Sequence, residues 1–279
     1  MPISIRATSK PDAGRILHDE RFSNNMLSKY INTESNKFNQ TAITMKVEIW
    51  SDVMCPFCYI GKRRLEAALQ QFNHPEDIDV EWKSFQLRPD METQPEVSIN
   101  QHLSKVKGWS EEEAAQFNKR MEDMAEEAGL DFNMDQAVVA NSFDAHRFAH
   151  YAKTQGKGDE AEEALFNAYF TNGKNTDNHE VLVSLGEDIG LDPEETREVL
   201  ESEQFADAVK EDIHESRKLG VQGVPFFVLD RKYAISGAQP TETFLEALQK
   251  SWSEWNEENQ PVALNAETDG AVCGPDGNC

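Results

Sequence analysis

Basic residues are scarce in this chain: 27 Lys and Arg stand against 51 Asp and Glu in 279 residues, a formal net charge of -24. Such a surface repels phosphate backbones and anionic lipid at long range, which argues against nucleic acid and membrane partners. Long apolar runs are missing as well. The longest, Val224 to Leu229, has the length of a strand and falls far short of the roughly 18 residues a membrane-spanning helix needs. Residues 1–44 hold six basic and four acidic side chains and lack the apolar stretch of a secretory signal, while Asp12, Asp19, Glu20 and Glu34 count against a transit peptide. We expect a disordered extension there and a cytoplasmic protein. Cysteine is rare too. Four in the whole chain exclude a disulfide-stapled scaffold.

Those four cysteines fall in two pairs. Cys55 and Cys58 form C-x-x-C, and Cys273 and Cys279 form C-x5-C. The first pair sits in a readable context. Val47 and Ile49 alternate with Lys46 and Glu48 and are followed by Trp50, the pattern of a short strand. From Tyr59 onward, Ile60, Leu65, Ala68, Leu69 and Phe72 recur at helical spacing, and Asp79 to Leu87 reads as a second strand. Strand, helix and strand in so short a span predict a parallel pair with a crossover, with the cysteines at the strand-to-helix junction.

From Ser98 to Leu219 the pattern is helical. Ser110 with Glu113 forms a capping box, Gly129 stands at a helix end, Asn178 and Gly190 bracket a short helix, and Asp192-Pro193-Glu195 starts another. Strand pattern returns at Val224 to Leu229 and, after a turn at Asp230 and Arg231, at Lys232 to Ser236. An amphipathic helix spans Thr241 to Trp255. The expected organisation is an α/β thioredoxin-like fold with a large inserted helical domain. Residues 45–95 and 204–256 form the thioredoxin-like part, 96–203 the insertion, and 257–279 a flexible tail.

At the mouth of a strand-to-helix turn, the Cys55 sulfur can meet unpaired amides of the first helical turn, and Pro56 occupies a position that needs no amide hydrogen. Both features favour a thiolate. Cys58, nearly one turn inward, is the candidate resolving thiol. The same motif suits half of a zinc site, but the second half would have to come from the distant C-x5-C pair, so neither metal nor organic cofactor is expected. His146 and His150, four apart on a helix, lack a third ligand and are read as helix-packing or solvent-contacting residues. Gly223-Val224-Pro225-Phe226-Phe227 places a proline at the start of a strand. A cis Pro225 would present the Val224 backbone to an incoming peptide, and an ordinary trans proline is the alternative.

Three blocks carry a family resemblance: Ser51-Asp52-Val53-Met54-Cys55-Pro56-Phe57-Cys58-Tyr59-Ile60-Gly61, then Asn141-Ser142-Phe143-Asp144-Ala145-His146-Arg147, then Gly223 to Val228 running into Tyr233 to Gln239. Together they make residues 45–256 similar to the DsbA superfamily, and within it to the FrnE-like cytoplasmic branch. The resemblance implies a thioredoxin fold interrupted by helices, an attacking Cys55, a resolving Cys58 and a cis Pro225. Two departures limit it. Phe57 replaces the His typical of periplasmic DsbA proteins, so a very oxidising potential is not implied. Cys55 stands where glutathione-dependent isomerases on this fold usually carry Ser.

The expected activity is thiol-disulfide exchange with protein thiols and disulfides, with glutathione or a thioredoxin-type reductant as candidate partner. In a reducing cytosol the dithiol form prevails and the reductase or isomerase direction is favoured. Pro56, Phe57, Val224 and Phe226 are candidate substrate contacts, although aromatic residues at a strand start, Phe227 among them, also suit a core. Asp52 is a candidate proton relay, with an exposed turn aspartate as the simpler reading. Cys273 and Cys279, in a turn-rich segment, are a candidate second redox pair or a simple local disulfide. Two rival functions remain: a glutathione-dependent isomerase or transferase acting on an aromatic small molecule, and a non-enzymatic chaperone or metal-binding module.

Overall fold

The computed structural model describes residues 43–260. The expectations for the leading extension up to residue 42 and for Cys273 and Cys279 lie outside the described residues. Strand β1, Met45–Ser51, is the central parallel partner of β2, Ile78–Ser84, through helix α1, Pro56–Gln71. β1 also pairs antiparallel with β3, Phe226–Leu229, which pairs with β4, Tyr233–Ser236, for a sheet order β2-β1-β3-β4. A central strand is covered on both faces. Val47 and Ile49 are accordingly buried, and so are Glu48 and Trp50 on the opposite face. Glu48 is held by Arg231, and the Trp50 indole donates to the Asp212 carbonyl at 3.0 Å.

Several boundaries shift. α1 starts at Pro56, three residues before the apolar pattern becomes legible, because proline at the first helical position sets the required φ. β2 stops at Ser84, and β3 begins only at Phe226, after the cis Val224–Pro225 bond. The hairpin turn at Asp230 and Arg231 takes positive φ at both residues, 48° and 53°, the two-residue geometry that fits strand twist. Neither is glycine. The conformation costs energy at Arg231, which its ion pairs to Glu215 (2.8 Å) and Glu48 offset.

Seven further helices lie between β2 and β3, three of them at the expected punctuation: α2 Ile99–Lys107, α3 Glu111–Glu127, α4 Phe143–Thr154, α5 Gly158–Phe166, α6 His179–Asp188, α7 Pro193–Glu201 and α8 Ala206–Lys218. Ser110 and Glu113 close the foreseen capping box, Asn178 accepts from Val181 N, and Asp192 accepts from Glu194 N and Glu195 N. A closing helix, α9, Thr241–Asn259, runs beyond the expected start of the tail at residue 257. α9 packs with α1 on one face of the sheet, where Phe227 meets Phe244 edge to face at 4.7 Å, and α8 packs against β2. No helix among the described residues is long and apolar enough to cross a membrane.

The helical segments and the sheet share one contiguous apolar core. Tyr59 of α1 stacks on Phe166 of α5 at 4.9 Å, and Phe132 stacks on Phe170 at 4.6 Å. Beneath these rings lies a charged knot. Lys62, fully buried on α1, reaches Glu66 (2.6 Å), Glu163 (3.1 Å) and Asp159 (3.3 Å), and the Trp82 indole donates to Asp159. The active helix is thereby tied to α5 by charge as well as by ring contacts.

Candidate active site

Cys55 is the N-cap residue of α1, where the positive end of the helix dipole meets its side chain. Its sulfur makes no capping bond to the first-turn amides. The thiol donates instead to the Val224 carbonyl at 3.4 Å, across 169 residues of sequence. Val224 lies next to the cis-bonded Pro225. Both cysteines are free thiols. The turn is locked by two main-chain bonds of 2.9 Å, Cys55 N to Asp52 O and Cys58 N to Cys55 O. Cys58 is fully buried. Burial, followed by the hydrogen bond to Cys55 and that neighbour's charge, pushes the Cys58 thiol well above its ordinary pKa, against a smaller pull from Ser51.

Asp52 is not an exposed turn residue. It is completely buried, and its Oδ2 accepts from Leu87 N at 2.7 Å. Its Oδ1 lies 3.5 Å from His146 Nε2, an ion-pair distance with no hydrogen bond to the carboxylate atom. His146 donates from the same nitrogen to Phe85 O at 2.9 Å. Burial lowers the His146 pKa, but the Asp52 carboxylate, with a further contribution from Glu162, raises it above the ordinary value. Behind it, burial pushes Glu162 up to about 7 despite the attraction of His146. His150 turns elsewhere, to Ser84 and to Asp212 at 3.0 Å, so the two histidines have separate partners.

A cleft of about 340 Å³ opens beside the thiol. Cys55, Pro56, Phe57 and Val224 line one side and Leu103, Phe117 and Tyr169 the other. Tyr169 is placed by a π-helical turn, Asn167–Thr171, at the end of α5, a distortion frequent at functional sites. Phe226 stands apart from the other candidate contacts. It pairs with Trp50 and Ser236 in the sheet and does not line the cleft, while the pleat turns its neighbour Phe227 into the core.

Sequence reasoning missed three features of the site. Gly61 lets α1 approach β3: a Cβ there would sit 3.1 Å from Pro225 Cγ and 3.2 Å from Phe227 Cζ. The only trace was its place in the cysteine block. The Lys62 knot was announced by a lysine set among apolar positions of α1, and buried lysines are rare unless paired. The Asp52–His146–Glu162 series joins three distant segments, and no local pattern signals that.

Comparison with known proteins agrees with this geometry. The family described as DSBA-like thioredoxin domain matches residues 46–249. The chain is 28% identical over 208 residues to the uncharacterized protein YwbO of Bacillus subtilis (strain 168), spanning 74% of this chain and 96% of that one. It is similar to the crystal structure of a probable DsbA oxidoreductase from Streptomyces coelicolor, with a TM-score of 0.72 and 39% identity over 84% of this chain and 97% of that one. The cytosolic disulfide reductase DsbM of Pseudomonas aeruginosa shares the fold at 18% identity and a TM-score of 0.51, over 76% of this chain and 98% of that one.

Proposed function

This chain belongs to the DSBA-like thioredoxin domain family, and from that premise we propose that it is a FrnE-like thiol-disulfide oxidoreductase of the cytoplasm, acting on protein substrates through Cys55 and Cys58. The supporting observation is the Cys55 sulfur at the N-terminus of α1, facing the Val224 carbonyl beside Pro225.

The Cys55 thiolate attacks one sulfur of a substrate disulfide. A Cys55–substrate bond forms, the substrate bond breaks, and the departing thiolate takes up a proton. Cys58 then loses its proton and attacks Cys55 Sγ, releasing the second substrate sulfur. Cys55 and Cys58 end as a disulfide, and the substrate has gained two electrons and two protons. A thiol reductant, glutathione or a thioredoxin-type protein, restores the dithiol. Asp52 receives the Cys58 proton in this reading: it is buried, its carbonyl accepts from the Cys55 amide in the cysteine turn, and its Oδ1 lacks a hydrogen bond. Pro56, Phe57 and Val224 contact the substrate, and the Val224 backbone offers strand-type hydrogen bonds to a peptide. In the glutathione poise of a cytosol the cycle runs as reduction or isomerisation.

Reduction of insulin disulfides by a thiol reductant tests the reading. The wild-type protein should accelerate it and Cys55→Ser should not. Small-molecule turnover retained in Cys55→Ser, with insulin reduction lost, would favour the isomerase or transferase alternative. Equilibration in glutathione redox buffers fixes the direction, since about 30 mV corresponds to about 1.4 kcal/mol.

A further inference from the structure

The mouth of the Cys55 cleft gathers positive charge in a chain that carries -24 overall. Arg88, His102 and Lys107 line it together with Leu87, Leu103 and Phe117. Burial first, then the charges of Arg88 and Lys105, hold the His102 imidazole below its ordinary pKa, so the positive charge of the lining is that of Arg88 and Lys107. Among the described residues, Arg88 and Lys107 make no ion pair, as is also true of several surface cations such as Arg120 and Lys218, and no carboxylate lines the cleft beside them. Cations left unpaired at an apolar mouth retain their full attraction for an incoming anion.

We propose that this cleft selects disulfides whose flanking groups combine an apolar side chain with a carboxylate. The apolar part seats on Leu103, Phe117 and Tyr169, and the carboxylate meets Arg88 and Lys107. The inference rests on the oxidoreductase reading and leaves its exchange chemistry unchanged. The overall negative charge does not defeat it. Beyond a Debye length of about 8 Å at physiological salt the distant carboxylates are largely screened, whereas charges in a cleft with low-dielectric walls are focused onto the ligand. An acidic protein segment and a small peptide disulfide such as glutathione disulfide carry the same chemistry, so the test separates them.

The probes are three peptide disulfides that place Asp, Gln or Lys beside a Leu-Cys pair, together with glutathione disulfide. Exchange rates are measured on wild type and on the double variant Arg88→Gln, Lys107→Gln, each expressed relative to the Gln peptide in the same preparation so that a loss of folded enzyme cancels. The Asp peptide should exceed the Lys peptide by about tenfold at low salt, and high salt and the double variant should each drive that ratio toward one. A parallel fall for glutathione disulfide in the variant extends the selection to small disulfides; a fall for the Asp peptide alone assigns it to protein segments. A ratio near one in wild type, or one that the variant leaves unchanged, overturns the inference while the oxidoreductase reading stands. Failure of wild type to exchange with any probe overturns both.

Discussion

The Cys55 sulfur lies 3.4 Å from the carbonyl oxygen of Val224, so two segments 169 residues apart meet at one atom of chemistry. What allows the approach is the absence of a side chain at Gly61, nearly two turns further along the same helix.

Gly61→Val therefore strikes fold and site together. The added carbon would press on Pro225 and Phe227 at 3.1 and 3.2 Å, and such overpacking costs about 1–3 kcal/mol. Chemical denaturation should show that loss, accompanied by slower disulfide exchange in the remaining folded protein. Wild-type stability and rate would contradict the close approach.

The two thiols should differ sharply in reactivity. Cys55 lines the cleft, whereas Cys58 is fully buried and its thiol is held well above its ordinary pKa, first by burial. A short iodoacetamide pulse at neutral pH should label Cys55 and spare Cys58 until denaturant is added, as read by peptide mass analysis. Equal labelling of both in the native protein would contradict this arrangement.

Lys62→Met should be severely destabilising. Removing the ammonium leaves buried Asp159 without a cation, while Arg63 still pairs with Glu66 and Glu163, and breaking a buried pair in this way costs about 3–5 kcal/mol. Thermal or denaturant unfolding measures it. A loss below about 1 kcal/mol would show that the knot does not anchor α1 to α5.

Glu162 makes stability depend on pH with a definite sign. Its pKa, raised by burial to about 7 in the folded chain from an ordinary 4.5, favours the protonated form. The associated stability is full below pH 4.5 and is lost as pH rises through about 7. His146, also raised from 6.5, contributes in the same sense: full below 6.5 and lost as pH climbs through its folded value. Glu162→Gln should thus gain on wild type between pH 5 and pH 8, by up to about 3 kcal/mol. A stability difference that stays flat across that range would refute the assignment.

Much of this was legible in the sequence because the signals were local. The alternation around Val47, the Ser110–Glu113 box, Asp192-Pro193 and the Cys55–Cys58 spacing each state a backbone preference within a few residues. The order of elements then constrains their assembly. What escaped is long-range. That Asp52 is buried depends on Leu87 N reaching back to its carboxylate and on His146 arriving from α4. That Phe226 faces Trp50 across the sheet depends on the register of β3 against β1. The positive cleft mouth is assembled from Arg88 in a loop and from Lys107 on α2, cations that look ordinary one by one.

Trapping the mixed disulfide tests the central claim most directly. With Cys58→Ser, a disulfide substrate should leave a one-to-one adduct on Cys55 that mass spectrometry maps to that residue; with Cys55→Ser, no adduct should form. An adduct on Cys58 in the Cys55→Ser protein, or no adduct in either variant, would contradict the assignment of Cys55 as the attacking thiol and Cys58 as its resolver.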